Sequence, residues 1–243
     1  MHSGDSNEQG FSLIELIIGM AVTLAIMAIA GVMLASSLNI RSRENRRTEA
    51  LTAAQHALNS MARDIANAGF GLKRNGIVNQ DSDASSIRIR ANLNAFGGVQ
   101  STDSSGKILG SGSLADPYED IEYFMHKTDD DPNSTRGALM LYDVNTQRST
   151  LLVNNVDDLE IYYFDHKVDY TLDPTGGIIV TTLDSGGAPV QEVDDQSNTT
   201  YLVITLILKL DPVGQPGSPS YQPASQVQLA TNVAIRNRNL ALF

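Results

Sequence analysis

From Gly10 to Leu38 the chain reads GFSLIELIIGMAVTLAIMAIAGVMLASSL, apolar almost without a break and carrying one charge, Glu15. The twenty residues from Leu16 to Ala35 hold no ionisable side chain. At a rise of about 1.5 Å per residue, a helix of that length covers about 30 Å, the thickness of a bilayer's hydrocarbon core. A water-soluble fold does not leave such a surface exposed, and the rest of the chain is too polar to enclose it. Three fates remain open: a membrane anchor, a cleaved secretion signal, or a segment that alternates between lipid and protein surroundings.

Glu15 narrows the choice. A carboxylate costs roughly 2.5–3.5 kcal/mol at a bilayer centre and less near its edge, where it snorkels without needing any function. A cut after Gly10, however, would give Phe11 a free α-ammonium, and a carboxylate four residues on could pair with it, in the same chain or in a neighbour. A secretory cleavage after Ala28-Ile29-Ala30, with Leu16–Met27 as its apolar region, leaves both Glu15 and the apolar continuation to Leu38 unexplained. Residues Met1–Gln9 also lack the positive start of such a signal, since Asp5 and Glu8 are their charged side chains. Arg41, Arg43, Arg46 and Arg47 follow the span, diluted by Glu44 and Glu49. Taken alone, that cluster would lie on the cytoplasmic side.

Gly10-Phe11-Ser12-Leu13-Ile14-Glu15, followed by an uncharged span, resembles the cleavage-and-methylation signature of type IV prepilins. The resemblance implies that a prepilin peptidase cuts after Gly10 and methylates Phe11, and that Glu15 then meets the N-terminus of an adjacent subunit. It also implies a cytoplasmic leader and a translocated remainder, opposite to the arginine argument. Two departures from the family pattern stand out. The leader has no Lys or Arg, and the span has no Pro where major pilins often carry one.

Helix-compatible residues continue past the span, and no proline occurs before Pro117. Leu51, Ala54, Leu58, Met61, Ile65 and Ala68 recur at spacings of three and four, drawing one apolar stripe, while Glu49, Gln55, Asn59, Arg63 and Asp64 take other faces. Gly69 reads as a left-handed helix stop. One helix is therefore expected over about residues 12–68. Beyond Phe70, Asp, Asn, Ser and Gly become frequent and all eight prolines occur. Strands are expected at 87–91, 121–125, 138–142, 159–164, 178–183, 201–210 and 227–235, with loops at 97–117, 127–137, 184–200 and 211–226. The expected fold is α+β and pilin-like, with one long N-terminal helix packed on an antiparallel sheet. Its divisions are a leader over 1–10, a helix over 11–68 whose span covers about 13–38, and a β-rich head over 69–243.

Three further patches are similar to the PilW family of minor pilins and its relative, the J-type pseudopilin of type II secretion. They are Met61-Ala62-Arg63-Asp64-Ile65 leading into Ala68-Gly69-Phe70, then Leu152 through Tyr163, and the closing Val233-Ala234-Ile235-Arg236-Asn237-Arg238-Asn239. That similarity implies a minor subunit that primes polymerisation at the pilus tip. Its partners would be prepilin peptidase, the major pilin, other minor pilins and an inner-membrane assembly platform. It would start as a single-pass inner-membrane protein with a periplasmic head and end at the pilus or cell surface. A J-type role in secretion, or an adhesive head using the loops at 97–117 and 184–200, are the alternatives.

Residues 69–243 contain 22 Asp and Glu against 12 Lys and Arg. So acidic a head disfavours the phosphate backbone of nucleic acid. There is no cysteine, hence no disulfide. His2, His56, His126 and His166 are scattered, and no nucleophile, phosphate-loop or zinc-protease motif occurs, so no enzyme and no cofactor is expected. Asn79-Gln80-Asp81-Ser82-Asp83 and Asp129-Asp130-Asp131-Pro132-Asn133 place oxygens at alternate positions, as calcium loops do. Both lack the glycine and distal glutamate of an EF-hand, and solvated acidic loops are the simpler reading.

Overall fold

The computed structural model describes residues 12–72, 74–93, 101–102, 108–109, 114, 116–127, 137–217 and 221–237. Helix α1 runs over Leu13–Ala66. Among the described residues ten strands follow: β1 Ser86–Arg90, β2 Ser101–Thr102, β3 Ile108–Leu109, β4 Asp120–Lys127, β5 Gly137–Asp143, β6 Arg148–Phe164, β7 Tyr170–Leu172, β8 Ile178–Val180, β9 Tyr201–Leu210 and β10 Ser225–Ala234. Six of them form one antiparallel sheet in the order β1-β4-β5-β6-β9-β10, while β2-β3 and β7-β8 are small separate pairs. The α+β expectation is met, with a long helix on an antiparallel sheet.

Two compact units divide the chain. One holds Met1–Arg46 with Pro212–Pro223, the other Arg47–Asp211 with Ala224–Phe243. In the second, the apolar stripe of α1 lies on the sheet. Ala54, Ala57, Leu58, Met61 and Ile65 are buried against Ile87, Ile121, Tyr123, Leu139, Ile161 and Leu206. Leu51 is only half-buried. Asp64, expected among the solvated residues, is instead drawn inward. The hydroxyl of buried Tyr123 on β4 donates to its Oδ2 at 2.7 Å, clamping sheet to helix. Burial, then the Asp64 charge, raises the Tyr123 pKa, so the phenol stays a donor.

The outer face of the sheet is not left to solvent. Phe164, Val168, Val190, Tyr201 and Val203 form a second buried cluster, joined by Tyr162, Tyr170, Ile178 and Val180. This explains why the first six residues of β9 are buried without alternation. Strand β6 is the largest departure from the sequence expectation, beginning at Arg148 rather than 159. Its first half pairs with β5 and its second with β9, and the ladders shift between Val156 and Asp158. Asn155, at φ +59°, sits beside that shift. The run NNVDD has turn composition because it supplies the bend inside a continuous strand. Strand β8 is shorter than expected, stopping at Val180, and β7 was not foreseen.

The helix ends at Ala66, two residues before the expected stop. Asn67 and Ala68 tighten the last turn, donating to Asp64 O at 3.1 Å and Ile65 O at 3.0 Å. Gly69 does adopt φ +77°, but its N–H turns away from the helix and donates to Arg90 O at 2.9 Å. Gly76, at φ +78°, accepts from Arg90 N at 2.8 Å. The two glycines thus pack the helix exit onto the end of β1, and buried Asn75 between them donates to Gln196 O and Thr199 O at 2.8 and 3.1 Å. A Cβ at Gly76 would lie 2.1 Å from Gly69 N and 2.3 Å from Arg90 O. Gly76→Ala is therefore expected to lower stability by about 2 kcal/mol or more, read by urea denaturation, because both the φ and the space are denied to alanine. An unchanged midpoint would show that this exit is not close-packed.

Candidate functional site

The residues singled out in the sequence lie at the start of α1. Gly10 and Phe11 fall outside the described residues; Glu15 falls inside them. Ser12 O accepts from Glu15 N at 3.0 Å and Leu16 N at 3.2 Å, so Ser12 opens the helix and Glu15 sits in its first turn. Ser12-x-x-Glu15 has the spacing of a capping box, a start signal that the apolar periodicity overlooks. Among the described residues the Glu15 carboxylate has neither a hydrogen bond nor an ion pair, and it is exposed.

From Leu13 to Leu34 every large apolar side chain is more than half exposed, from 52% at Val22 to 76% at Leu13. The segment is long and apolar enough to cross a membrane, and none of it is buried by the chain. Thr23, a polar residue within it, satisfies its own hydroxyl by donating to Gly19 O at 2.8 Å. The surface is apolar on all sides, as a surface for lipid or for a bundle of like helices is. At its far end Arg43 donates to Gln222 Oε1 and, at 3.3 Å, to Pro223 O. Val213 and Gln222 pair with each other across the base of that loop, which the sequence presented as unstructured.

The PilW-like patches are distributed as follows. The helix exit and the closing strand meet: Arg236 N donates to Ala66 O at 3.1 Å, and Asn237 Nδ2 to Asn67 O at 3.2 Å. The middle patch is the bent part of β6, two strands away from β10.

Acidic groups of the head are mostly engaged by the protein itself. Asp120, on β4, accepts from Arg88 Nε at 2.7 Å, Arg88 Nη2 at 2.8 Å and Arg90 Nε at 2.9 Å. Asp81 accepts from Arg88 Nη1 at 2.7 Å. The bonds from Asp120, then those from Asp81, push the Arg88 pKa up. Buried Glu119 accepts from Leu93 N and Asp116 N, and buried Asp143 from Tyr118 N, Asn145 N and Thr146 N. In the first calcium-like loop, Asp83 accepts from Ser85 and Asn79 Oδ1 from Gln196 N. The second, 129–133, lies outside the described residues. Among the described residues no group of three or more His, Asp or Glu is placed to hold a metal.

Residues 5–35 match the family model of the prokaryotic N-terminal methylation motif. No curated protein and no solved structure matches the chain. The motif, with the apolar helix that carries it, supports a type IV prepilin-like chain and fits a membrane anchor. The motif supports a pilin- or pseudopilin-like structural role, and it implies processing by prepilin peptidase and assembly with other pilins.

Two measurements test the head's electrostatics. Asp120→Asn deprives two arginines of their shared carboxylate and is expected to cost about 3 kcal/mol in urea denaturation. Glu192 is exposed at the surface. Desolvation raises its pKa, the Tyr163 N–H that its Oε2 accepts at 3.1 Å pulls it back, and the Glu160 charge adds a further rise. A raised folded pKa gives stability that is full below the ordinary value of 4.5 and is lost as pH rises through the folded value. Thermal stability should therefore fall as pH rises above the ordinary value of 4.5 and through the raised folded value, and Glu192→Gln should flatten that slope. An identical slope in the variant would assign it elsewhere.

Proposed function

We propose that this protein is a PilW-like minor subunit of a type IV pilus, which helps to prime filament assembly at the tip. In this reading, prepilin peptidase removes the leader 1–10 after Gly10 and methylates Phe11. The helix 11–68 then anchors the subunit in the inner membrane through about residues 13–38, and the head 69–243 faces the periplasm until the subunit enters the filament. The observation that carries the proposal is the junction of Gly10-Phe11-Ser12-Leu13-Ile14-Glu15 with a helix exposed and apolar on every side. A lipid anchor alone needs no carboxylate in its first turn. A segment that leaves lipid for a core of neighbouring helices uses one, because a free α-ammonium from the next subunit can neutralise it and set the axial register.

Mass spectrometry of the N-terminal peptide, in membranes and sheared filaments side by side, tests this. A peptide starting at Phe11 with one added methyl group, present in filaments, is the expected result. The same peptide confined to membranes favours the J-type secretion role, and an intact Met1 end overturns the prepilin reading. Glu15→Ala should block incorporation while leaving head stability unchanged, since an unpaired buried charge costs roughly 3–5 kcal/mol. Normal incorporation of that variant would remove Glu15 from the assembly step.

A further inference from the structure

The six-stranded sheet has two edges, and they are finished differently. Along β1 the segment 76–78 runs as a cover: Val78 N donates to Arg88 O at 2.9 Å, and Gly76 O accepts from Arg90 N at 2.8 Å. Among the described residues strand β10 has no such cover. The bond from Ile235 N to Thr200 O fixes the phase of its ladder with β9. Val227, Leu229, Thr231 and Val233 turn their N–H and C=O groups to β9, so Gln226, Gln228, Ala230, Asn232 and Ala234 turn theirs outward. Among the described residues those outward groups have no partner.

A long bare edge is a template for another chain, and edges that are to stay single carry Lys, Pro or a bulge. Strand β10, SQVQLATNVA, has no charge and no proline in a chain that is 19% charged, and its register with β9 is unbroken.

We propose that β10 is an interface with a second copy of this chain, the two strands pairing antiparallel about a two-fold axis at Ala230. That centre pairs all five outward residues. It sets Gln228 opposite Asn232 and Gln226 opposite Ala234 on the outer face, and Leu229 opposite Thr231 and Val227 opposite Val233 on the helix side. Apolar meets mostly apolar, amide meets amide, and no like charges oppose each other. A cavity of about 380 Å³ lies beside the edge, lined by Ala62, Ala66 and Val233 among others. Stacking of β10 on β1 is blocked, because the β1 edge is already covered. Two acidic heads repel, so pairing tightens as salt shortens the screening length to about 8 Å near 0.15 M.

The absence of cysteine makes the test direct. The full chain in detergent micelles, carrying Ala230→Cys as its sole thiol, is oxidised with copper-phenanthroline. Two thiols give up two electrons to the oxidant and form one disulfide. Opposite Cα atoms in such a pair lie about 5.5 Å apart, within disulfide range. Ala230→Cys should dimerise at least about tenfold faster than Ser185→Cys in an exposed turn, because its thiol is held opposite its partner. Gln228→Cys should cross-link with Asn232→Cys rather than with itself. Asn232→Pro removes an outward N–H that the chain does not use; added to Ala230→Cys it should return the rate to that of Ser185→Cys, with the circular dichroism unchanged. Equal rates for Ala230→Cys and Ser185→Cys would mean that copies meet only through their spans, and would overturn the proposal. So would an Ala230→Cys adduct in native membranes whose mass shows a different protein rather than a second copy.

Discussion

A helix that is apolar on every side has no stable place in water, and α1 is such a helix over Leu13–Leu34 but not over Ala50–Ala66. The rest of the structure depends on that change of pattern along one element. Among the described residues nothing covers the first part, which suits surroundings of lipid or of other subunits. The second part has one apolar stripe, and the inner face of the sheet is what covers it. Burying Leu58, Met61 and Ile65 contributes about 1.5–3 kcal/mol each. The exchange is mutual, because Ile87, Ile121 and Leu206 would otherwise face water. Within the head, the second part of the helix is thus held by packing and not only by the chain.

Polar contacts fix where that packing occurs. The apolar stripe alone would let the helix slide or rotate on the sheet at little cost, since dispersion is not directional. The bond from Tyr123 to Asp64 and the close approach of Gly69 and Gly76 at the end of β1 are directional, and both lie at the last turns of α1. Arg236 and Asn237, just beyond β10, close on the exposed carbonyls of the same helix end. First and last elements of the head therefore converge there, bringing two sequence patches far apart in the chain into contact.

The span, the stripe and β9 were legible in the sequence because each has a period that one environment imposes. Leu206 and Leu208 alternate with Thr205 and Ile207, and Ala54, Leu58, Met61 and Ile65 keep helical spacing. What escaped was structure made by two segments at once. The NNVDD bend in β6 reads as a loop until β5 and β9 are seen to pair with its two halves. The buried start of β9 depends on the cover supplied by Phe164 and Val190, which no local pattern announces. Asp64 reads as solvated until Tyr123 stands opposite. At the candidate site the residues were legible and their relations were not: Glu15 is evident as a lone charge, whereas its lack of a partner among the described residues is a fact of three dimensions.

That lack can be weighed. At the first turn of a helix a carboxylate gains roughly 0.3–1 kcal/mol from the backbone dipole. Moving it into the centre of an apolar phase costs roughly 2.5–3.5 kcal/mol. The dipole therefore offsets the cost only while Glu15 stays at a membrane surface. In a dry helical core the remaining deficit must be met by a cation, and the twenty residues that follow Glu15 supply none. The nearest basic side chain beyond them is Arg41, 26 positions on and about 39 Å away along a helix. The partner of Glu15 must then come from the N-terminal side of the segment or from another chain. A free α-ammonium at Phe11 meets both descriptions, in its own chain or in the next.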